Sequence, residues 1–349
     1  MKAVFTFLLL VSLFQKASSQ NHDFYWPMGY FSFEADTSFG RTVLDFNTDP
    51  PQIYREDREL NFSATVASFC DSLGNLLVYT NGIRIVDSGH NLLENGDSLN
   101  LEPFVSTNYE SGYRVAQSEI FLQKPDAPDT LMLFHESIEF DNVFGISSRY
   151  LLQTKIKLNP NNEQGSVISK NGELSTTETS YGGIRAVKHA NGRDWWIFNS
   201  FQSQNKYNRF YLSPEGMIFL GKTELEPEFP FLYSSGYTAF SSDGSKFARF
   251  YIKNGVYIYN FNRCNGVFEN PVFIPMPNTS LGGGISFSPN SRFLYIASAF
   301  EIFQFDLWAE DIGASLDTVA VYDGFQAPFG TNFLLMQLGP DGRIYINTT

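Results

Sequence analysis

A β-propeller is the fold class that this sequence predicts, and three observations predict it. Pairs of hydrophobic strands joined by short polar turns recur along the chain. The copies lie about 50 residues apart, which is the period of a propeller blade. The chain also contains 35 Phe and 18 Tyr, residues that suit broad β surfaces. We therefore expect an all-β protein with six or seven four-stranded blades, of the WD-repeat or YVTN-like type, whose last blade is incomplete.

The clearest copy of the repeat is "GGGISFSPNSRFLYIASAFEIFQFDL", from Gly282 to Leu307. It predicts a strand, a Ser-Pro-Asn turn, a second strand and an alternating third strand. The second strand, "RFLYIAS", is apolar on both faces, which is typical of a strand that is covered on both sides. Blades that stack face to face cover their inner strands in this way. The third strand alternates apolar residues with Gln304 and Asp306, so one of its faces is more polar.

Five weaker copies of this unit occupy residues 68–82, 118–137, 183–200, 237–252 and 334–347. The six copies have turn residues at Gly74, Ala127, Gly192, Gly244, Ser291 and Gly342, so successive gaps are 53, 65, 52, 47 and 51 residues. A β-sandwich or a tandem of small β domains is the alternative. The even spacing and the lack of a Pro/Ser/Thr-rich linker favour a single propeller.

The domain organisation is predicted to be a signal peptide followed by one domain. Lys2 gives a short basic start, and a mostly apolar run from Ala3 to Phe14 is too short to span a bilayer. Small residues up to Ser19 suit a signal peptidase, so residues 1–19 are expected to be removed. Residues 20–349 then form the propeller, with a possible truncation at the C-terminus. We expect a secreted, extracellular or outer-surface protein without membrane insertion.

Charge and cysteine content narrow the range of partners. The 24 Lys and Arg against 37 Asp and Glu give a net charge of −13, which disfavours nucleic acid as a partner. Two cysteines and four scattered histidines match no metal-site motif, so we predict no cofactor and no metal. Cys70 and Cys264 fall in different repeats, and we predict that they are not bridged.

Five stretches carry a family resemblance: "NFSATVASFCDSLGNLLVYTNGIRIVDSGHNLLENGD", "NFNRCNGVFENP", "GGGISFSPNSRFLYIAS", "IFQFDLWAEDIGAS" and "MQLGPDGRIYIN". In order and spacing, from Phe39 to Asn347, they resemble a family of secreted β-propeller proteins of the Bacteroidota. Members of that family commonly carry a type IX secretion sorting domain. Because the family is mostly uncharacterised, the resemblance implies fold and location more than an activity. This sequence departs from the family's pattern at its end, where we expect no sorting domain after the last repeat.

Candidate chemistry is sparse, and no catalytic residue is predicted. Trp195, Trp196 and Trp308 are candidate ligand-binding residues, because an exposed aromatic platform can bind sugar or peptide. Adjacent residues in a strand point to opposite faces, so one of the first two is expected in the core. His135 follows an apolar strand and is expected to be a core or channel histidine. Carboxylates that could serve glycoside cleavage are Asp194, Glu301, Asp306, Glu310 and Asp311.

The leading functional hypothesis is a secreted or cell-surface, non-catalytic propeller that binds protein or glycan partners. The alternative is a propeller-type glycoside hydrolase or lyase with carboxylates at the channel rim. Because the last repeat begins only at Leu334, its blade is expected to lack strands unless Tyr30–Ala35 and Thr42–Asn47 pair with it. An open blade edge would make self-association possible.

Overall fold

The computed structural model describes residues 21–29, 40–100, 102–141, 145–159, 165–175, 182–201, 205–226, 237–252, 254–276, 283–326 and 330–347. The predicted signal peptide, residues 1–19, and the strand-like segment Tyr30–Ala35 lie outside these ranges.

Six antiparallel sheets follow one another along the chain and form the blades of a β-propeller. Blades one and two have three strands each within the described residues: β1 (Tyr25–Met28), β2 (Thr42–Asp45) and β3 (Gln52–Arg55), then β4 (Ala67–Cys70), β5 (Leu76–Thr80) and β6 (Ile85–Asp87). A short helix, α1 (Phe104–Asn108), follows blade two.

Blades three to six have four strands each. Blade three contains β7 (Glu119–Gln123), β8 (Thr130–Glu136), β11 (Leu151–Lys157) and β12 (Ser166–Ser175), with a small hairpin of β9 (Glu139–Asp141) and β10 (Gly145–Ser147) inserted between β8 and β11. Blade four contains β13 (Ile184–Lys188), β14 (Trp195–Ser200), β15 (Lys206–Ser213) and β16 (Gly216–Glu224). Blade five contains β17 (Tyr237–Phe240), β18 (Lys246–Tyr251), β19 (Gly255–Asn262) and β20 (Val267–Pro275). Blade six contains β21 (Ile285–Phe287), β22 (Phe293–Ala297), β23 (Glu301–Asp306) and, after a 3-10 turn at Gly313–Ser315, β24 (Asp317–Val321).

The blades form a ring because the first strand of each blade lies against the first strand of the next. A terminal hairpin, β25 (Met336–Leu338) and β26 (Ile344–Ile346), sits between blade six and blade one. Its β25 strand lies against β21. On the other side, the Tyr345 ring packs edge-on against Trp26 and Phe46, with centroids 5.6 and 5.4 Å apart. These contacts close the ring.

The hydrophobic core consists of layers between neighbouring blades. Between blades five and six, Phe250 and Val256 pack against Leu294 and Phe305, and all four side chains are buried. A similar layer of buried aromatic rings separates blades four and five. Each fully buried Phe or Leu contributes about 1.5–3 kcal/mol to folding. The apolar residues on both faces of the inner strands, noted in the sequence, face these layers.

The inner turns follow the predicted repeat closely. Five of the six predicted turn residues have positive φ angles: Gly74, Gly192, Gly244, Ser291 and Gly342. In blade three the positive φ falls on Asp126, one residue before the predicted Ala127. In four of the turns an Asn or Asp precedes this residue, and its side-chain oxygen accepts the backbone N–H two residues further on. This Asx turn explains why the motif recurs with Asn or Asp followed by Gly or Ser.

Three details of the fold differ from or refine the sequence prediction. Blade one was not among the six predicted repeats, and β2, which falls within Thr42–Asn47, pairs with β1 and β3 rather than with the terminal hairpin. The last repeat contributes two strands within the described residues, and the outer edge of β26 has no partner strand there. Cys70 in blade two and Cys264 after β19 are both free, as predicted.

Candidate functional site

The two faces of the ring have different characters. The inner turns of neighbouring blades touch one another: Arg193 pairs with Asp126 at 3.2 Å, and the Ser242 hydroxyl donates to the Pro289 carbonyl oxygen at 2.6 Å. All inner turns therefore share one side of the ring, which we call the lower face. On the opposite side, the upper face, the chain enters the first strand of each blade. Buried polar side chains concentrate near the upper face.

His135, at the upper end of β8, is fully buried and bonded through both ring nitrogens. Its Nδ1 lies 2.7 Å from Asn100 Oδ1 and its Nε2 lies 2.9 Å from Thr154 Oγ1. Because the Asn100 oxygen can only accept, Nδ1 carries the proton and Nε2 accepts from the hydroxyl. Burial lowers the pKa of His135 to about 3, so the ring is neutral at physiological pH. The prediction of a core histidine is confirmed.

Glu136, the next residue, points to the opposite face of blade three and is held by blade four. Its carboxylate accepts hydrogen bonds from Gly182 N at 2.6 Å, Asn199 Nδ2 at 2.7 Å and Gly183 N at 3.4 Å. A side chain at Gly183 would place its Cβ 1.9 Å from Ser200 Oγ, so only glycine allows this approach. The three hydrogen bonds lower the pKa of Glu136, but burial has the larger effect and raises it to about 8.

Glu119 is a second carboxylate of blade three whose pKa is raised to about 8 by burial. Both of its oxygens are shielded from solvent, and no donor among the described residues forms a hydrogen bond of ordinary geometry with them. The nearby Asn100 amide partly offsets the rise in the pKa of Glu119. In the structure this amide donates its hydrogen bond to the Gly82 carbonyl oxygen, at 2.8 Å. Glu119 pairs with His135 across the ladder, so it faces away from Glu136. The two acids do not converge.

Two arginines occupy the interface between blades four and five. Arg249 is fully buried, donates to Tyr207 Oη at 2.9 Å and lies over the Tyr251 ring at 4.4 Å. Arg185 is half-buried, with Nε 2.8 Å from the Thr238 carbonyl oxygen and Nη1 2.6 Å from that of Ile184. Burial lowers the pKa of Arg185 to about 10, which still leaves it charged at neutral pH.

Two hydroxyl groups that bond to no described residue lie in the same interface. Ser200 pairs with Tyr207 across the β14–β15 ladder, and Thr238 pairs with Arg249 across the β17–β18 ladder. Both residues are buried, and neither Ser200 Oγ nor Thr238 Oγ1 forms a hydrogen bond within the part of the chain that the structure describes. A buried polar group without a partner is costly, so such groups in native proteins call for an explanation.

The three tryptophans predicted as ligand-binding residues lie toward the lower face. Trp196 is the core member of the adjacent pair: it is buried, and its Nε1 donates to the Arg263 carbonyl oxygen of blade five at 2.8 Å. Trp195 is half-buried; its Nε1 donates to Gln123 O at 3.3 Å, and Lys188 Nζ lies 3.8 Å from its ring. Trp308 is 66% exposed and stacks on Arg292. Their role in ligand binding stays a prediction.

The carboxylates named from the sequence as glycosidase candidates are distributed over two blades. Asp194 belongs to the turn of blade four, where Arg193 Nε, 2.7 Å away, holds its pKa well below the usual range. Asp306 forms a two-pronged pair with Arg292, at 2.6 and 3.0 Å, which also lowers its pKa. Glu301 stands at the other end of β23, five residues or roughly 16 Å away. Glu310 and Asp311 are exposed beyond that strand.

The polar groups of the upper face were missed by sequence reasoning. Glu119, Arg185 and Thr238 lie one or two residues into their strands, where the alternating pattern reads simply as a polar residue facing solvent. The pair Gly182-Gly183 was the available signal, because two glycines ahead of a buried strand allow a close backbone approach. Within the described ranges, no group of three or more His, Cys, Asp or Glu side chains could hold a metal ion.

Comparison with known proteins adds little beyond the fold. No family model and no curated protein matches the chain. Among solved structures, the chain is similar to a proposed 6-phosphogluconolactonase from Bacteroides fragilis, with 12% identity, a TM-score of 0.45 and coverage of 93% of this chain and 88% of that one. It is also similar to a luciferin-regenerating enzyme, with 10% identity, a TM-score of 0.41 and coverage of 83% and 82%.

A third similar structure is the Cps50 (Swd1) β-propeller domain of Myceliophteria thermophila, with 9% identity, a TM-score of 0.42 and coverage of 88% of this chain and 89% of that one. Likenesses this distant carry no argument about activity. In the described residues, no helix is both long and apolar enough to cross a membrane.

Proposed function

We propose that this chain is a non-catalytic β-propeller of the extracellular space or outer cell surface, and that it binds a protein or glycan partner at the upper face of blades four and five. The observation that carries the proposal is the pair of buried hydroxyls beside Arg185, Ser200 Oγ and Thr238 Oγ1, which form no hydrogen bond with any residue that the structure describes. A polar ligand group that enters the interface between blades four and five would satisfy these buried hydroxyls. The basic start and apolar run of residues 2–14 support export.

Preorganised polar groups suit recognition better than a mobile surface does. Arg185 is tied to the neighbouring blade, and Arg249 is fixed between tyrosine rings, so neither guanidinium must be ordered when a ligand arrives. Immobilising a free side chain at an interface costs roughly 0.5–1.5 kcal/mol. The site therefore starts from a favourable geometry.

A glycoside hydrolase or lyase is the second candidate function. It is favoured by the pKa values of Glu119 and Glu136, which burial raises to about 8, because a carboxyl that stays protonated at neutral pH can act as a general acid. Against it, the two carboxyls lie on opposite faces of blade three. Release of reducing sugar from a glycan panel by the wild-type chain, and its loss in Glu119→Gln or Glu136→Gln, would favour the enzyme.

The test of the binding proposal uses glycan and peptide arrays with the full chain, followed by titration of the strongest hits. Thr238→Val and Ser200→Ala remove the two hydroxyls with little change of shape. We expect each to weaken binding several-fold while the melting temperature stays within about 2 °C of the wild type, because neither hydroxyl forms a hydrogen bond with a described residue. Binding that is unchanged in both variants would contradict the proposed location.

A further inference from the structure

Several N–H donors of the Arg185 side chain form no hydrogen bond with a described residue. Its guanidinium uses Nε–H for the Thr238 carbonyl oxygen and one Nη1–H for that of Ile184. An arginine carries five N–H donors. The other three form no hydrogen bond with any described residue, and both donors on Nη2 are among them. The unused donors are thus both hydrogens of Nη2 and one hydrogen of Nη1.

No described carboxylate forms an ion pair with Arg185. Among the described residues, no carboxylate lies within 4.0 Å of its nitrogen atoms, so no salt bridge forms. Glu136 acts on it through charge alone, because its oxygens are engaged by Gly182, Gly183 and Asn199. In a chain of net charge −13, a half-buried cation that pairs with no described carboxylate is unusual.

The free hydroxyls share the side of blade four on which Arg185 lies. Arg185 pairs with Phe198 across the β13–β14 ladder, and Ser200 is two residues further along β14, so the two side chains leave the same face of the sheet. Diagonal neighbours of this kind have Cβ atoms roughly 7 Å apart. Thr238 holds Arg185 through its carbonyl oxygen. A guanidinium edge with hydroxyls beside it matches a carboxylate whose neighbours are hydroxyl groups.

We propose that Arg185 binds the carboxylate of an acidic sugar, such as a uronic acid residue of a glycan, and that Ser200 and Thr238 bind its hydroxyl groups. This inference rests on the proposed function and narrows its ligand to a carboxylated glycan. The planar fork of arginine binds a carboxylate through two parallel hydrogen bonds, which a lysine at this position would not reproduce.

The test measures the Kd of the full chain for oligogalacturonate and for glucuronate-containing oligosaccharides. The matched probe is the same oligosaccharide after reduction of its carboxyl groups to alcohols, and inorganic phosphate is the second anion. We expect reduction of the carboxyl to weaken binding to the wild-type chain roughly 10- to 100-fold, the loss that follows removal of a charged hydrogen bond. This comparison requires no variant, so it stands even if substitution at Arg185 impairs folding.

Variants then assign the effect to the residue. Arg185→Gln should lose the preference for the carboxylated sugar, and Arg185→Lys should keep only part of it. Arg55→Gln, on the exposed strand β3, changes the net charge equally and should bind like the wild type. Tight binding of neutral glycans or of peptides with no effect of Arg185→Gln would overturn this inference while leaving the proposed function intact. Stronger binding of phosphate than of the carboxylated sugar would also overturn it, and binding of nothing on either array would overturn both.

Discussion

The Asn199 side chain of blade four donates a hydrogen bond to the Glu136 carboxylate of blade three, with 2.7 Å between Nδ2 and Oε1. Both residues are fully buried. Above pH 8, where Glu136 is ionised, Asn199→Leu should destabilise the protein by about 1–3 kcal/mol, because it leaves a buried carboxylate with fewer donors. The double variant Asn199→Leu, Glu136→Gln should recover part of that loss, since no charge is then buried. Chemical denaturation measures both, and a double variant less stable than the sum of its parts would contradict the pairing.

The carboxyl of Glu119 predicts how stability depends on pH. Its pKa is about 8 in the folded chain and 4.5 for an ordinary glutamate, so the folded state binds the proton more tightly. Stability that derives from this group is present below pH 4.5 and is lost as the pH rises toward 8. Glu119→Gln should therefore match the wild type near pH 4.5 and be more stable at pH 8, by more than about 1.4 kcal/mol. Melting curves across this range check the prediction, and equal slopes for the two proteins would refute it.

A pair of threonines tests the distinction between bonded and free hydroxyls. The Thr154 hydroxyl bonds to His135 at 2.9 Å and accepts Asn171 N–H at 3.2 Å, whereas the Thr238 hydroxyl has no partner within the described residues. Thr154→Val should cost about 1–3 kcal/mol and Thr238→Val less than about 0.5 kcal/mol. Comparable losses in urea denaturation would show that Thr238 is bonded within the protein.

The layer between blades five and six predicts a large contrast between two positions in blade six. Leu294 is fully buried between the blades, so Leu294→Asp should cost several kcal/mol. Asp306 pairs with Arg292 at the partly exposed end of β23, where solvent screens the ion pair, so Asp306→Ala should cost far less. Leu294→Ile serves as the control for shape. Similar melting shifts for Leu294→Asp and Asp306→Ala would contradict the burial pattern.

The two cysteines should differ in reactivity. Cys264 is exposed, whereas Cys70 is buried and burial raises the pKa of its thiol to about 12. Because the thiolate is the reactive form, an alkylating reagent should label Cys264 under native conditions and Cys70 only after unfolding. Intact mass without reductant measures the labelling. A mass deficit of two protons with no labelling would indicate a disulfide and contradict the separation of the two blades.

Much of the fold was readable from the sequence because each blade is a local unit. Two local patterns predict the hairpins. One is the turn sequence, such as Asp243-Gly244 and Asn290-Ser291, and the other is a strand that is apolar on both faces. Blade one was not predicted, because its β3 strand exposes Ile53 and Tyr54 and is not apolar on both faces. The Asp49–Pro50 stretch that joins β2 to β3 also lacks the repeated turn motif.

The candidate site was far less readable, because it depends on contacts between blades. Arg185 and Thr238 are 53 residues apart in the chain and meet only when blades four and five stack. The tryptophans were predicted as ligand-binding residues because they are large aromatic residues. The Nε1 groups of Trp195 and Trp196, however, donate to carbonyl oxygens of adjacent blades. Single-strand patterns do not encode which side chains meet across such an interface.

The most direct test of the account compares ligand affinity in variants of the two faces. The array's strongest ligand would be titrated by calorimetry into the wild type, into Thr238→Val on the upper face, and into Trp308→Ala on the lower face. The account predicts that Thr238→Val binds several-fold more weakly at an unchanged melting temperature, while Trp308→Ala binds like the wild type. Full affinity in Thr238→Val together with loss of binding in Trp308→Ala would place the site on the lower face and contradict the account.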